Sequence, residues 1–146
     1  MRPRVDLVTL GVEDLTAARS FYVDGLGWKP IQEVPGEIVF IQVGHGIMLA
    51  LFAAEELAAD VGEKSPAKAT HAVTLAHNVD TQAQVIEVFN TAVEAGATVI
   101  KEPQKADFGG FHAYFADPAG FCWEVAHNPG WSVDEDGNVT LNPARS

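Results

Sequence analysis

The fold is decided by the stretch Asp117-Pro118-Ala119-Gly120-Phe121-Cys122-Trp123-Glu124-Val125. Its first four residues combine an aspartate, a proline and a glycine, which is typical of a tight turn. The residues that follow alternate between large apolar side chains and smaller or polar ones, which predicts a strand over 121–126. Because successive side chains of a strand point to opposite faces, the odd-numbered residues face the core and Glu124 projects from the other face.

The first half of the chain contains the same pattern. Gly46-Ile47-x-Leu49-x-Leu51 matches Gly120-Phe121-x-Trp123-x-Val125, and Val8-Thr9-Leu10 matches Val73-Thr74-Leu75. Matches in the same order predict two copies of one module, each a strand, a helix and two or three further strands. We therefore expect module one over about 4–53, a linker over about 54–70, module two over about 71–128 and a C-terminal tail, 129–146, that forms a small hairpin.

Composition limits the classes of function. The chain has 146 residues, the size of a single domain, and 9 Lys and Arg against 20 Asp and Glu give a formal net charge of −11. That charge argues against nucleic acid and anionic membranes as partners, which both attract clustered cations. One cysteine excludes an internal disulfide framework. No apolar run is long enough for a membrane span or a signal peptide, so we expect a cytoplasmic protein.

Strand alternation gives the sheet of each module two faces. The helix covers one of them, and we call the other the second face. In module one this face is mostly apolar, unlike the polar outer face of an ordinary solvated sheet. An apolar second face is either covered by another subunit or is the wall of a pocket. The candidate ligand-binding residues on the second faces are Leu7, Thr9, Phe40, Met48, Ala50, Phe52, Thr74, His112, Tyr114 and Glu124.

Two groups of motifs resemble the vicinal oxygen chelate superfamily of glyoxalase, bleomycin-resistance and dioxygenase proteins. Val8-Thr9-Leu10-Gly11-Val12-Glu13-Asp14-Leu15, with Phe21-Tyr22 and Leu26-Gly27, is similar to the opening of that family. Gly96-Ala97 and Asp117-Pro118-x-Gly120-x-x-Trp123-Glu124-Val125 are similar to its second half. The resemblance implies an α+β fold of two tandem βαβββ modules that form an open curved sheet around a concave cavity, and a homodimer.

The resemblance also implies where a metal would bind. Metal enzymes of the family place four ligands on the concave face, and those positions fall on Leu7, Ala50, Ala72 or Thr74, and Glu124. Leu7 and Ala50 cannot bind a metal, so we expect no cofactor. The alternative is one divalent metal, which requires a β-bulge that turns His71 or His77 toward Glu124.

Glu124 is the candidate catalytic residue. A carboxylate among apolar side chains loses solvation, which suits a ligand anchor or a general base. The other interpretation is a former metal-ligand position that is hydrogen-bonded to Tyr114 or His112 and has no chemistry. We expect a metal-free protein that binds and sequesters a small molecule in an apolar cavity. The alternatives are a metal-dependent lyase, isomerase or dioxygenase, and a metal-free acid–base enzyme that uses Glu124.

Overall fold

The computed structural model describes residues 1, 7–61, 74–107, 109–136 and 139–141. The chain folds into two compact units. The first unit is Met1–Thr70 with Pro118–Gly120, and the second is His71–Asp117 with Phe121–Ser146. Each unit contains one four-stranded mixed sheet with helices. The prediction of an α+β fold built from two modules is therefore confirmed.

The first unit contains four strands and two helices. Its sheet has the order β1-β4-β3-β2, with β1 parallel to β4 and the other neighbours antiparallel. The elements are β1 (Leu7–Val12), α1 (Leu15–Arg19), which continues as π-helical turns over Ser20–Gly25, β2 (Pro30–Val34), β3 (Ile38–Gly44), β4 (Ile47–Ala53) and α2 (Ala54–Val61).

Strand alternation holds where β1 pairs with β4, whereas the register shifts between Pro30 and Gln32 on β2 and between Gln42 and Gly44 on β3. Leu10 and Val12 on β1 pair in register with Leu51 and Ala53 on β4, and this alternation separates a buried face from the second face. The buried set is at most 3% exposed and consists of Leu10, Val12, Val39, Ile41, Leu49 and Leu51. Helix α1 begins where Asp14 accepts a hydrogen bond from the Ala17 amide at 2.9 Å, as its N-cap position predicts.

Strand β2 is an element that sequence periodicity does not predict. Its five residues are mostly exposed and carry no clear alternation, so the pattern gives no signal for it. Antiparallel pairing with β3 places this strand at the edge of the sheet. Arg19 at the end of α1 also donates from Nε and a terminal nitrogen to the two oxygens of Glu33, at 2.7 and 3.1 Å. The hydrogen bond from Arg19 lowers the pKa of Glu33 below its usual range.

The second unit repeats the architecture. Its sheet has the order β5-β8-β7-β6, with β5 parallel to β8. The elements are β5 (Thr74–Asn78), α3 (Gln82–Glu94), β6 (Thr98–Lys105), β7 (Phe111–Ala116) and β8 (Cys122–His127). The tail forms the predicted hairpin from β9 (Trp131–Val133) and β10 (Val139–Leu141). Within the described residues no helix is both long enough and apolar enough to cross a membrane.

Helix α3 covers one face of this second sheet. It begins with a complete capping box, in which the Thr81 side chain accepts from the Gln84 amide and the Gln84 side chain accepts from the Thr81 amide. Its buried stripe is Val85, Phe89 and Ala92, and the sheet side chains buried with it are Ala113, Phe115 and Val125.

The turn between β7 and β8 is closed by Asp117. This aspartate is 2% exposed, and its Oδ1 accepts a hydrogen bond from the Phe121 amide at 2.9 Å. The Asp117 amide in turn donates to the Phe121 carbonyl at 2.9 Å. Gly120 has a φ of 92°, a conformation that residues with a Cβ rarely adopt. The Asp-Pro-x-Gly stretch is thus a specific loop closure that sets the start of β8.

We predict that Asp117→Ala lowers the free energy of unfolding by about 1–3 kcal/mol, because it leaves the Phe121 amide without its acceptor. Urea unfolding at neutral pH measures the change. The matched control is Asp134→Ala, since Asp134 accepts the same kind of bond from the Asp136 amide at an exposed turn. Equal stability losses in the two variants would contradict the role assigned to Asp117.

Candidate functional site

Glu124 projects from the second face of the β5–β8 sheet. Its register partner on β7 is Tyr114, whereas the flanking Val125 pairs with Ala113 on the helix-covered face. The Glu124 Oε1 atom accepts two hydrogen bonds, one from the Tyr114 hydroxyl at 2.8 Å and one from His112 Nδ1 at 2.9 Å. Both partners that the sequence suggested for this carboxylate therefore contact it.

His112 connects this carboxylate to a lysine. Its ring is 8% exposed, and its Nε2 lies 3.2 Å from Lys101 Nζ. Because an ammonium group only donates hydrogen bonds, Nε2 is the acceptor and the ring proton sits on Nδ1, where it is donated to Glu124. The result is a hydrogen-bonded row from Lys101 through His112 to Glu124, which Tyr114 joins at the carboxylate end. We call these four residues the polar cluster.

Lys101 is the member of the polar cluster that sequence reasoning missed. The sequence predicts this strand over 97–101, where regular alternation would place residue 101 on the same face as Val99 and Phe115. In the structure the register shifts between Val99 and Lys101, and again between Lys101 and Gln104, so Lys101 pairs with Tyr114. Each shift inserts one extra residue in β6, as a β-bulge does. Pro103, which has no amide hydrogen to donate, lies within the second irregular stretch and is a signal for such a bulge.

Tyr114 is held in its neutral form by its surroundings. Burial raises the pKa of its hydroxyl to about 12, and the hydrogen bond to Glu124 and the negative charge of that carboxylate act in the same direction. The ring also packs edge-on to His112, with centroids 5.2 Å apart, and Lys101 Nζ lies 5.8 Å from its centroid. Tyr114 is therefore a stable hydrogen-bond donor at neutral pH.

The candidate residues of the first unit share the second face of the β1–β4 sheet. Leu7 pairs in register with Met48, Thr9 with Ala50, and Phe40 with Ala50 from the other side. Phe52 continues the same face, next to Ile38. The structure thus brings together all six first-unit residues on one apolar face, as alternation predicted.

Two further candidates of the second unit, Thr74 and His77, lie on β5. Thr74 pairs with Cys122 and so shares the face of Glu124, and it is exposed. His77 pairs with Val125, which places it on the helix-covered side, away from Glu124. His71 and Ala72 lie outside the described residues. No bulge on the described part of β5 turns His77 toward the carboxylate.

The described residues do not form a divalent metal site on either second face. Leu7 and Ala50 have no donor atoms, and Glu124 Oε1 already accepts two hydrogen bonds. Across the described part of the chain, no group of three or more His, Cys, Asp or Glu side chains is placed to hold a metal ion. A lone carboxylate does not satisfy the coordination that a divalent cation requires.

A separate cavity of about 460 Å³ lies beside the C-terminal hairpin of the second unit. Its walls include Asp80, His127, Asn128 and Trp131. His127 pairs in register with Phe111, so it is on the opposite face of the sheet from Glu124. The side chain that β8 contributes to this wall therefore lies on the other face from the polar cluster.

Comparison with known proteins places the chain in a family. A profile of the Glyoxalase/Bleomycin resistance protein/Dioxygenase superfamily matches residues 4–125, and the chain belongs to this superfamily. Among solved structures, a glyoxalase-related enzyme from Fulvimarina pelagi is 37% identical, with a TM-score of 0.86 over 95% of this chain and 98% of that one. The family resemblance of the sequence motifs is thereby confirmed.

More distant structures share the same fold. A lactoylglutathione lyase from Agrobacterium tumefaciens is 27% identical, with a TM-score of 0.67 over 87% of this chain and 95% of that one. A glyoxalase/bleomycin resistance protein/dioxygenase from Nocardioides is 23% identical, with a TM-score of 0.73 over 89% of this chain and 87% of that one, and shows the fold alone. None of the curated proteins compared with the chain matches it significantly.

We predict that the Tyr114 hydroxyl ionises near pH 12 and that Glu124→Gln lowers this pKa but leaves it above the ordinary value of about 10. Removing the negative charge removes one cause of the shift, while burial, the largest cause, remains. Alkaline difference absorbance measures phenolate formation, and Tyr114→Phe identifies its contribution because the chain has only two tyrosines. An unchanged Tyr114 titration in Glu124→Gln would contradict the electrostatic coupling.

Proposed function

We propose that this chain is a metal-independent small-molecule-binding protein, a sequestering member of its superfamily, and that the polar cluster recognises the polar end of the ligand. The observation that carries the proposal is the pair of hydrogen bonds from His112 and Tyr114 to one oxygen of Glu124. These donors stabilise the carboxylate without a metal. They leave Oε2 as the oxygen that can accept a hydrogen bond from a ligand.

The cluster has the properties of a preorganised recognition site. His112 is nearly buried and is held at both ring nitrogens, and Tyr114 is fixed by its bond to the carboxylate. Cys122 and Ala126, which lie beside Glu124 on β8, are 6% and 3% exposed, so the carboxylate is in partly desolvated surroundings. Hydrogen bonds formed there are stronger than in bulk water.

The second face of the β1–β4 sheet supports an apolar ligand in its own right. Phe40, Met48 and Phe52 are only half-buried, although they are large apolar side chains on a sheet face. Exposed apolar faces of this kind mark binding surfaces in soluble proteins. We therefore expect the ligand to be amphipathic or aromatic.

Acid–base catalysis by Glu124 is the second candidate function. In the row Lys101–His112–Glu124, the histidine contacts the lysine at one ring nitrogen and hydrogen-bonds the carboxylate at the other. A carboxylate held in this way suits proton transfer. The Fulvimarina pelagi relative is described as a glyoxalase-related enzyme, which also supports this alternative. A ligand that is chemically changed on incubation with the protein, but not with Glu124→Gln, would favour it over sequestration.

We predict that Glu124→Gln weakens binding of the best ligand about tenfold or more, because a hydrogen bond to a charged group contributes about 1.5–3 kcal/mol. A thermal-shift screen of aromatic and amphipathic compounds supplies the ligand, and calorimetry measures the affinity. Glu102→Gln is the matched control, since it removes a carboxylate from an exposed position on β6.

The same calorimetric measurement tests whether ligand binding is independent of a metal. Protein dialysed against a chelator should bind the ligand with unchanged affinity. Loss of binding after chelation that added Zn²⁺, Ni²⁺, Fe²⁺ or Mn²⁺ restores would overturn the metal-independent assignment. Equal affinity of wild type and Glu124→Gln would remove Glu124 from the site.

We also propose a homodimer. Several large apolar side chains are exposed, among them Ile31 at 64% and Leu7 at 44%, and burial in an interface would remove them from water. Sedimentation at micromolar concentration should give a species of twice the chain mass of 15.6 kDa. A single species at the chain mass would contradict the proposal.

A further inference from the structure

We infer that the second face of the β5–β8 sheet binds an organic anion that also carries a hydrogen-bond donor, such as a hydroxy-substituted aromatic carboxylate, and that Lys101 is its anion-binding residue. The inference rests on the proposed function, because it uses the same polar cluster, and it adds the charge of the ligand. In this arrangement Lys101 binds the anionic group of the ligand, and Glu124 accepts a hydrogen bond from its hydroxyl.

The first argument is the way β6 presents Lys101. Two register shifts flank this residue, one between Val99 and Lys101 and one between Lys101 and Gln104. A bulge interrupts ladder hydrogen bonds, and bulges are over-represented where a side chain is re-aimed next to a functional site. Here the two irregularities take Lys101 off the face of Phe115 and set it opposite Tyr114 on the second face.

The second argument is the charge balance around Lys101. Lys101 is half-buried, and its ammonium contacts the His112 ring nitrogen and the face of Tyr114, neither of which is a carboxylate. Among the described residues no carboxylate lies within ion-pair distance of it. In a chain with a formal net charge of −11, a partly desolvated lysine that is not paired with an acid is a natural site for an anionic ligand.

The third argument is that Glu124 does not prevent an anion from binding there. The carboxylate is separated from the ammonium by the His112 ring, and two donors already share its charge on Oε1. The cluster therefore presents a cationic donor at one end and a carboxylate acceptor at the other. A ligand with an anionic group and a hydroxyl at opposite ends of a flat ring matches that pattern, and Tyr114 offers an aromatic side chain against which the ring can pack.

The experiment compares matched ligands and matched variants. The probes are hydroxy-substituted benzoates and naphthoates, their neutral carboxamides, and the parent acids without the hydroxyl. Affinities are measured by calorimetry on wild type, Lys101→Met, Lys101→Arg and Lys105→Met. Lys105 is an exposed lysine on the same strand whose register partner is Phe111, so its variant removes the same charge from outside the cluster.

We expect wild type to prefer at least one hydroxy acid over its carboxamide by about tenfold or more, because the charge-assisted bond to Lys101 is lost with the amide. Lys101→Met should abolish this preference, while Lys101→Arg and Lys105→Met retain it. Wild-type protein that binds every acid no better than its carboxamide would overturn the inference without any mutation. Retention of the acid preference in Lys101→Met would also overturn it.

Glu124→Gln separates this inference from the proposed function. This variant should bind the hydroxy acid with less of an affinity advantage over the parent acid. Its preference for the acid over the carboxamide should remain. Binding that depends on Glu124 but not on Lys101 would leave the proposed function standing and overturn the anion assignment. Binding that depends on Lys101 but not on Glu124 would keep the anion assignment and overturn the role that both proposals give to Glu124.

Discussion

The packing of α3 on one face of the β5–β8 sheet is the constraint on which the candidate site depends. Val125 and Ala113 are fully buried with the helix stripe, and no other register of β8 keeps these side chains in the core. A shift by one residue would exchange the two faces and bury Glu124 beneath the helix. Hydrophobic burial on one side thus fixes the position of a carboxylate on the other.

The buried side chain of Asp117 supports the same arrangement from the end of the strand. By closing the turn onto the Phe121 amide, it sets the residue at which β8 begins and hence the alternation that follows. The signature that links Asp117 to Glu124 therefore has a physical explanation. Asp117 fixes the turn, and Glu124 projects from β8, the strand that follows this turn.

The two sheets have the same topology but different second faces. In the first unit the face is apolar, with Ala50 where the second unit has Glu124. In the second unit the same face carries a histidine, a tyrosine and a lysine around the carboxylate. The two copies of the module share a core pattern, while their second faces differ in chemistry.

The sequence by itself determined the two modules, the core faces of the strands with regular alternation, the capping box at Thr81 and the face from which Glu124 projects. These features follow from local rules, namely periodicity, turn chemistry and side-chain alternation, which depend only on neighbouring residues. The tertiary structure alone decided where β2 runs and that Lys101 joins His112. Strand β2 is set by its antiparallel pairing with β3, and Arg19 of α1 adds an exposed ion pair to Glu33. Lys101 is set by two register shifts in β6 that break the alternation rule, and a rule based on regular spacing cannot anticipate where a strand departs from it.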